Sequence, residues 1–448
     1  MSQAINRKIS LVQATAINMI DMVGIGPFVV IPVIIGYFNS PLFLWAWILG
    51  AFIAFFDGMI WSELGAAYPL AGGSYNFLRE AYGKRGGRFM SFLFVWQTCI
   101  QAPLVVASGA IGFTQYLRYL MPLGVWESRL AMLCVIALVT RLLYRRIESI
   151  GTISVFLWVC VLLTIGWIVL GGITHGNIPY SFWPDDNRDF FKAAFWLAMG
   201  QGSVKTIYSF LGYYNVCHLG GEIVRPQKNI PRSIFISVAG ITILYLCMNL
   251  SIAHVIPWHE AQRYDFVVSV FVERTFGATA ARIATGLVLC VAFASLFAVM
   301  LGYSRVPYAA AADGNFFPVF AKLHPTKNFP HISLLFIAAL AVVFAFSFSI
   351  KQVISAILAM RILVQFMAQA VGVVLLRRRR GSKALPFRMW MYPLPVIISL
   401  LSWLFVLYST GIIALWGLGI ALVGALVYWI RGRLVPQAVV DKSDQPVE

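Results

Sequence analysis

Met22-Val23-Gly24-Ile25-Gly26-Pro27-Phe28-Val29-Val30-Ile31-Pro32 interrupts an apolar run long enough to cross a bilayer, and the reading of that interruption decides the fold. Inside a helix, glycine costs about 1 kcal/mol and proline about 3 kcal/mol relative to alanine. In hydrocarbon, each freed N–H or C=O costs several kcal/mol more unless protein or water satisfies it. A lipid-facing helix has no use for such a break, so the stretch is expected to line a cavity. As one helix, residues 10–38 would span roughly 43 Å at about 1.5 Å per residue, against a hydrocarbon core of about 30 Å. They read instead as two half-helices, Leu11 to Val23 and Phe28 to Tyr37.

The rest of the chain agrees with a membrane setting. Of 448 residues, 60% are apolar and 11% charged, and the mean hydropathy is +0.81; soluble domains run at about 45–50% apolar and about 25% charged. Apolar windows of about 20 residues recur twelve times with short connections, which predicts an all-α polytopic membrane protein of 12 transmembrane helices. The first apolar segment is too long, and lacks the small-residue site, for a cleavable leader.

The net charge of +17 does not call for nucleic acid. Most Lys and Arg residues fall in or beside connections on the side of the N-terminus, the positive-inside pattern, which places both termini in the cytoplasm of a cell-membrane protein. Arg377 to Arg380 reads as a topology anchor beside the anionic lipids of the inner leaflet, and Arg145-Arg146 as an inner turn. The outer loop 175–192 carries Asp185, Asp186 and Asp189 as solvated acids without an assigned role. The cysteines at 99, 134, 160, 217, 247 and 290 lie in expected spans at no metal-like spacing and read as core thiols. With no metal cluster, phosphate loop or nucleophile–base pair in sight, enzymatic chemistry is not expected.

A second interruption follows at Tyr208-Ser209-Phe210-Leu211-Gly212-Tyr213-Tyr214-Asn215. Gly212 stands to the spans of residues 194–376 as Gly26 stands to those of 10–173: each opens a group of five. An odd number of spans reverses the starting side, so the arrangement reads as a 5+5 inverted repeat with discontinuous helices 1 and 6, whose binding site forms where the two breaks meet. Residues 393–430 supply two further, peripheral helices, and 1–448 is a single transmembrane domain. The connection 72–83 reads as a short amphipathic helix with Tyr75, Leu78 and Tyr82 on one face.

Several motifs, taken in this order, resemble the amino acid, polyamine and organocation transporters. Gly24-Ile25-Gly26 resembles the Gly-x-Gly break of that family, Glu63-Leu64-Gly65 with Pro69 and Gly72-Gly73-Ser74-Tyr75 its segment-two exit, and Phe210-Leu211-Gly212-Tyr213 its second break. Glu222 to Arg232 is similar to its Glu-x-x-x-Pro-x-x-x-Ile-Pro-Arg, and Ser304-Arg305, Tyr308, Asp313-Gly314, Pro318 and His324-Pro325 to its exit from segment eight. The resemblance implies a permease that moves an amino acid or related small amine by alternating access, by proton or sodium coupling or by exchange. It implies no cofactor beyond a coupling H+ or Na+. The alternative is a non-transporting amino acid sensor or transporter subunit. The heteromeric branch joins a heavy chain through a cysteine between segments three and four; residues 119–126 contain none, so no disulfide-linked partner is expected.

For an amino acid the physical requirements are plain: exposed N–H groups at a helix start hold a carboxylate, and carbonyls at a helix end hold an ammonium. Pro27 cannot donate, which leaves Gly24, Ile25 and Gly26 as carboxylate donors. The resemblance places Tyr208 over the substrate as a gate, with Phe210 and Gly212 shaping the pocket. It puts Tyr214 where relatives handling cationic substrates carry an acid, which disfavours arginine and polyamines. Ionisable residues at membrane depth are functional candidates: Asp21 and Asp57 as proton carriers or structural acceptors, Lys205 for a substrate carboxylate or a wet vestibule, and Arg361 as a scaffold partner of Asp21 or Asp57 or as a substrate contact. Segment five lacks the lysine that replaces sodium in several relatives, so sodium coupling through first-break carbonyls and Ser295 stays open. Glu222 is expected to pair with a nearby Arg or Lys at the inner gate, and His218 to sit in the core.

Overall fold

The computed structural model describes residues 7–38, 40–144, 147–184, 190–264, 266–381 and 385–434. Among these residues the chain is helical nearly throughout, with two isolated bridges, Ile9 to Ile223 and Ala71 to Leu219, and no strand. The Arg145-Arg146 turn and the acids Asp185, Asp186 and Asp189 lie outside the described residues.

Helix α1 (Leu11–Met22) opens on a reciprocal cap in which the Ser10 hydroxyl takes the Gln13 N–H and the Gln13 side chain takes the Ser10 N–H, a pairing that satisfies two orphan donors. It ends where Val23 closes its last turn onto Met19. Helix α2 (Gly26–Phe38) follows at a bend of 42°, with Pro27 in its first turn, where a missing N–H costs nothing. The expected division of the first segment is therefore present, with boundaries one to two residues from those read in the sequence.

The chain continues as α3 (Leu44–Ala67), α4 (Ser74–Leu120), α5 (Val125–Leu143), α6 (Ile147–His175), α7 (Ala193–Phe210), α8 (Asn215–His218), α9 (Pro226–Val255), α10 (Trp258–Ala261), α11 (Val267–Phe276), α12 (Ala278–Tyr303), α13 (Arg305–Ala312), α14 (His331–Ser347), α15 (Ile350–Arg361), α16 (Ala368–Arg380), α17 (Leu394–Ser409) and α18 (Ala414–Leu434). Among the described residues seven helical stretches are long and apolar enough to cross a membrane, and the bent pair α1 and α2 makes an eighth. Helices α14 and α17 are apolar but shorter, and α5 and α7 carry polar residues such as Arg141 and Lys205.

Helices α3 and α9 pack on each other; α1 lies against α9 and α6, and α2 and α3 against α7. The inner connection behaves as read: Tyr75 and Leu78 are buried, and the Tyr82 hydroxyl donates to the Ala368 carbonyl at 2.7 Å. This short helix runs into the next span within α4, with only Gly83, at φ 75°, marking the kink between them.

Two features depart from expectation. A π-helical turn, Ile362–Met367, separates α15 from α16. Helix α17 is not peripheral: Ser399 and Trp403 reach into the core, and the Trp403 ring stacks on Phe366 of the π turn with centroids 4.0 Å apart. Helix α18 is largely exposed, as expected of a lipid-facing span.

Candidate functional site

The two breaks meet. Between them lies a cavity of about 40 Å³ lined by Asp21, Gly24, Ile25 and Gly26 from the first break, Tyr208, Ser209 and Gly212 from the second, Ser108 of α4, Ser295 of α12 and Arg361 of α15, among others. No hydrogen bond from the N–H groups of Gly24, Ile25 or Gly26 is made among the described residues, and all three residues line the cavity at the start of α2. That is the arrangement an anion recognises.

Close approach explains the glycines here. A side chain on Gly24 would place its Cβ 2.5 Å from Ser295 Oγ, and one on Gly26 would place it 2.8 Å from the Tyr208 ring. Gly212, at φ 125°, adopts a backbone that favours glycine, and a Cβ there would stand 2.8 Å from the Asp21 carboxyl carbon.

The breaks are fastened to each other by polar contacts. Tyr245 of α9 donates through its hydroxyl to the Met22 carbonyl at 2.7 Å and lies 3.0 Å from the Ser209 carbonyl, bridging the ends of α1 and α7. Asn18 Oδ1 accepts the Val216 N–H at 2.9 Å. Ser295 Oγ approaches the Asp21 carbonyl at 3.5 Å. The Tyr208 hydroxyl lies 2.8 Å from Ser108 Oγ, so its ring closes over Gly26 from one side.

The structure sorts the sequence candidates. Gly24, Ile25, Gly26, Tyr208, Gly212, Asp21 and Arg361 share the cavity. Phe210 is turned away, packed against Trp47 and Tyr245. Lys205 is buried on α7 outside the cavity lining. Asp57 accepts from Tyr213 at 2.5 Å, Ser399 at 3.0 Å and Trp403 at 3.0 Å, and it too lies outside the lining. Arg361 makes no ion pair with Asp57: its guanidinium donates to the Tyr214 hydroxyl, lies over the Tyr303 ring and faces Asp21.

At the end of the bundle that carries the start of α1, buried ion pairs join the elements. Glu222 pairs with Arg305 at 3.2 Å, and its carbonyl takes the Lys8 and Ile9 N–H groups at 2.9 Å. Glu63 receives Arg377 through two hydrogen bonds and the Met389 N–H at 2.7 Å. His218 is fully buried among Trp61, Phe94, Tyr214 and Tyr303, in the core as expected. Ser108, Tyr245 and Asn18 were not picked out from the sequence; single polar residues in apolar spans offered the one available signal.

A family model described as amino acid permease matches residues 9–429. The chain belongs to the amino acid permease family. The permease is 27% identical over 439 residues to the serine/threonine exchanger SteT of Bacillus subtilis, covering 95% of this chain and 97% of that one. It is 24% identical over 426 residues to the branched-chain amino acid permease BcaP of Lactococcus lactis, covering 88% of each. It is 26% identical over 450 residues to the large neutral amino acids transporter small subunit 2 of Homo sapiens, covering 95% of this chain and 81% of that one. Exchangers and permeases thus both stand among its relatives, and the family is one of transport proteins rather than enzymes.

Proposed function

We propose that this permease is a secondary active transporter that carries an amino acid or a closely related small amine across the cytoplasmic membrane by alternating access. The observation that carries the reading is that Gly24 to Gly26, whose N–H groups make no hydrogen bond among the described residues, line one cavity with the end of α7. In this reading the substrate carboxylate sits on the start of α2. Its ammonium meets Asp21 and the carbonyls that end α7, and Tyr208 covers it. The protein has twelve spans, residues 10–173 and 194–376 forming the inverted halves and 393–430 the remaining two. The packing of α3 on α9, and of α2 on α7, supports that pairing of halves.

In this reading the ion pairs Glu222–Arg305 and Glu63–Arg377 form the cytoplasmic gate, and both termini are cytoplasmic. Opening requires both buried pairs to be replaced by water or new partners, since an isolated buried charge is strongly unfavourable. The driving ion is H+ or Na+, or a second amino acid in exchange.

Uptake into proteoliposomes tests the reading. Gly26→Leu should remove binding and uptake while the purified protein stays folded and monodisperse, because the new side chain fills the space beneath Tyr208. Unchanged uptake by that variant would take the first break out of the site. Saturable binding by the wild type with no flux under any imposed gradient would favour a sensor.

A further inference from the structure

Arg361 is 4% exposed, lines the cavity, and has an Nε without a hydrogen-bond partner among the described residues. Its guanidinium donates to the Tyr214 hydroxyl and lies 5.3 Å from the Tyr303 ring centroid. Among the described residues no carboxylate pairs with it directly, and the acid whose charge acts on it is Asp21, across the same cavity. The site therefore has three poles: the N–H groups of Gly24 to Gly26, the Asp21 carboxylate beside Gly212, and the Arg361 guanidinium.

An ordinary zwitterion uses two of these poles. Its carboxylate takes the N–H groups and its ammonium takes Asp21, which withdraws from Arg361 the one negative charge that faces it. A buried charge left without compensation is strongly unfavourable. A cationic side chain worsens the imbalance. A second carboxylate corrects it, because a guanidinium fork receives a carboxylate through two parallel N–H groups and Arg361 Nε is unpartnered. The π turn that follows Arg361 fits this role, since such turns are frequent at functional sites.

We propose that the permease takes acidic amino acids, aspartate or glutamate, with Arg361 as the residue that determines that specificity. The proposal rests on the transporter reading above and names its substrate class. Uptake of labelled L-glutamate into proteoliposomes, challenged with unlabelled L-aspartate, L-leucine or L-lysine, tests it. Aspartate should compete at least about tenfold better than leucine, and lysine should not compete, as expected of a site that leaves a polar group unpaired with the wrong ligand.

Arg361→Gln should bring the glutamate-over-leucine preference close to one, and Arg361→Lys should retain part of it. If either variant does not fold, the wild-type competition decides alone. Uptake of leucine or serine with aspartate and glutamate inert would overturn the acidic class and leave the transporter reading standing. No uptake of any amino acid would overturn both.

Discussion

Asp21 and Asp57 are both carboxylates within apolar spans, and they differ in company. Asp57 is filled: a tyrosine of the second break and a serine and a tryptophan of α17 donate to its two oxygens. Asp21 lines a cavity, opposite a guanidinium whose own bonding capacity is not exhausted. Burial alone therefore does not mark a working acid in this protein. A place on the cavity wall opposite a guanidinium does, and a hub saturated by fixed donors belongs to the scaffold.

The sharpest way to break this comparison is Asp57→Ala. It strands the Tyr213, Ser399 and Trp403 donors in the core, at a cost of about 3 kcal/mol or more. Thermal unfolding in detergent should show a large loss, with substrate preference unchanged in the protein that survives. A variant as stable as wild type would remove Asp57 from the scaffold.

Asp21→Asn should do the opposite. Its thermal stability is expected to stay within about 1 kcal/mol of wild type, while apparent substrate affinity falls about tenfold or more, equivalent to about 1.4 kcal/mol. If Asp21 carries the coupled proton, pH-driven accumulation disappears while exchange at saturating substrate persists. Full pH-driven accumulation by this variant would count decisively against that role.

Tyr208→Phe is a smaller test, removing one hydroxyl contact with Ser108. A net cost of about 1 kcal/mol should appear as an increase of about fivefold in KM, measured in the same uptake assay.

Smallest of all is a surface carboxylate. Glu260 in α10 accepts from Arg274 and Tyr264, contacts that hold its pKa down at about 2. A group depressed in this way contributes stability above its unfolded value, and that contribution is lost as pH falls from about 4.5 toward 2. Exposure discounts it, so Glu260→Gln should shift stability at pH 7 by no more than about 0.5 kcal/mol, and uptake should be unaffected.

The features that organise the molecule were legible because they violate membrane physics. Glycine and proline within an apolar span around Gly26, and a glycine among aromatics at Gly212, have few explanations other than a broken helix at a cavity. Glu222 was readable as an ion-pair partner because an acid at the end of a span, amid basic residues, needs one. Other assignments depended on facing rather than on residue type. Phe210 and Tyr208 are two positions apart on α7, about 200° around a helix, so one enters the cavity and the other leaves it.

The partners of Asp57 on α17 lie more than 300 residues along the chain, and no local pattern could announce them. The π turn was equally silent, since Ile362-Leu363-Val364-Gln365-Phe366-Met367 reads as ordinary helix.

That turn sets the angular register of the whole α15–α16 span. On an uninterrupted helix, Arg361 and Arg377 would point roughly 160° apart at about 100° per residue. One extra residue taken up in a π turn winds that separation back to about 60°. The wider coil lets a single helix aim both guanidiniums into the bundle, one at the cavity and one at Glu63. Returning residues 362–367 to regular helix at unchanged length would swing one arginine out of the bundle, so the substrate pole and the gate pole are geared to each other through a single turn.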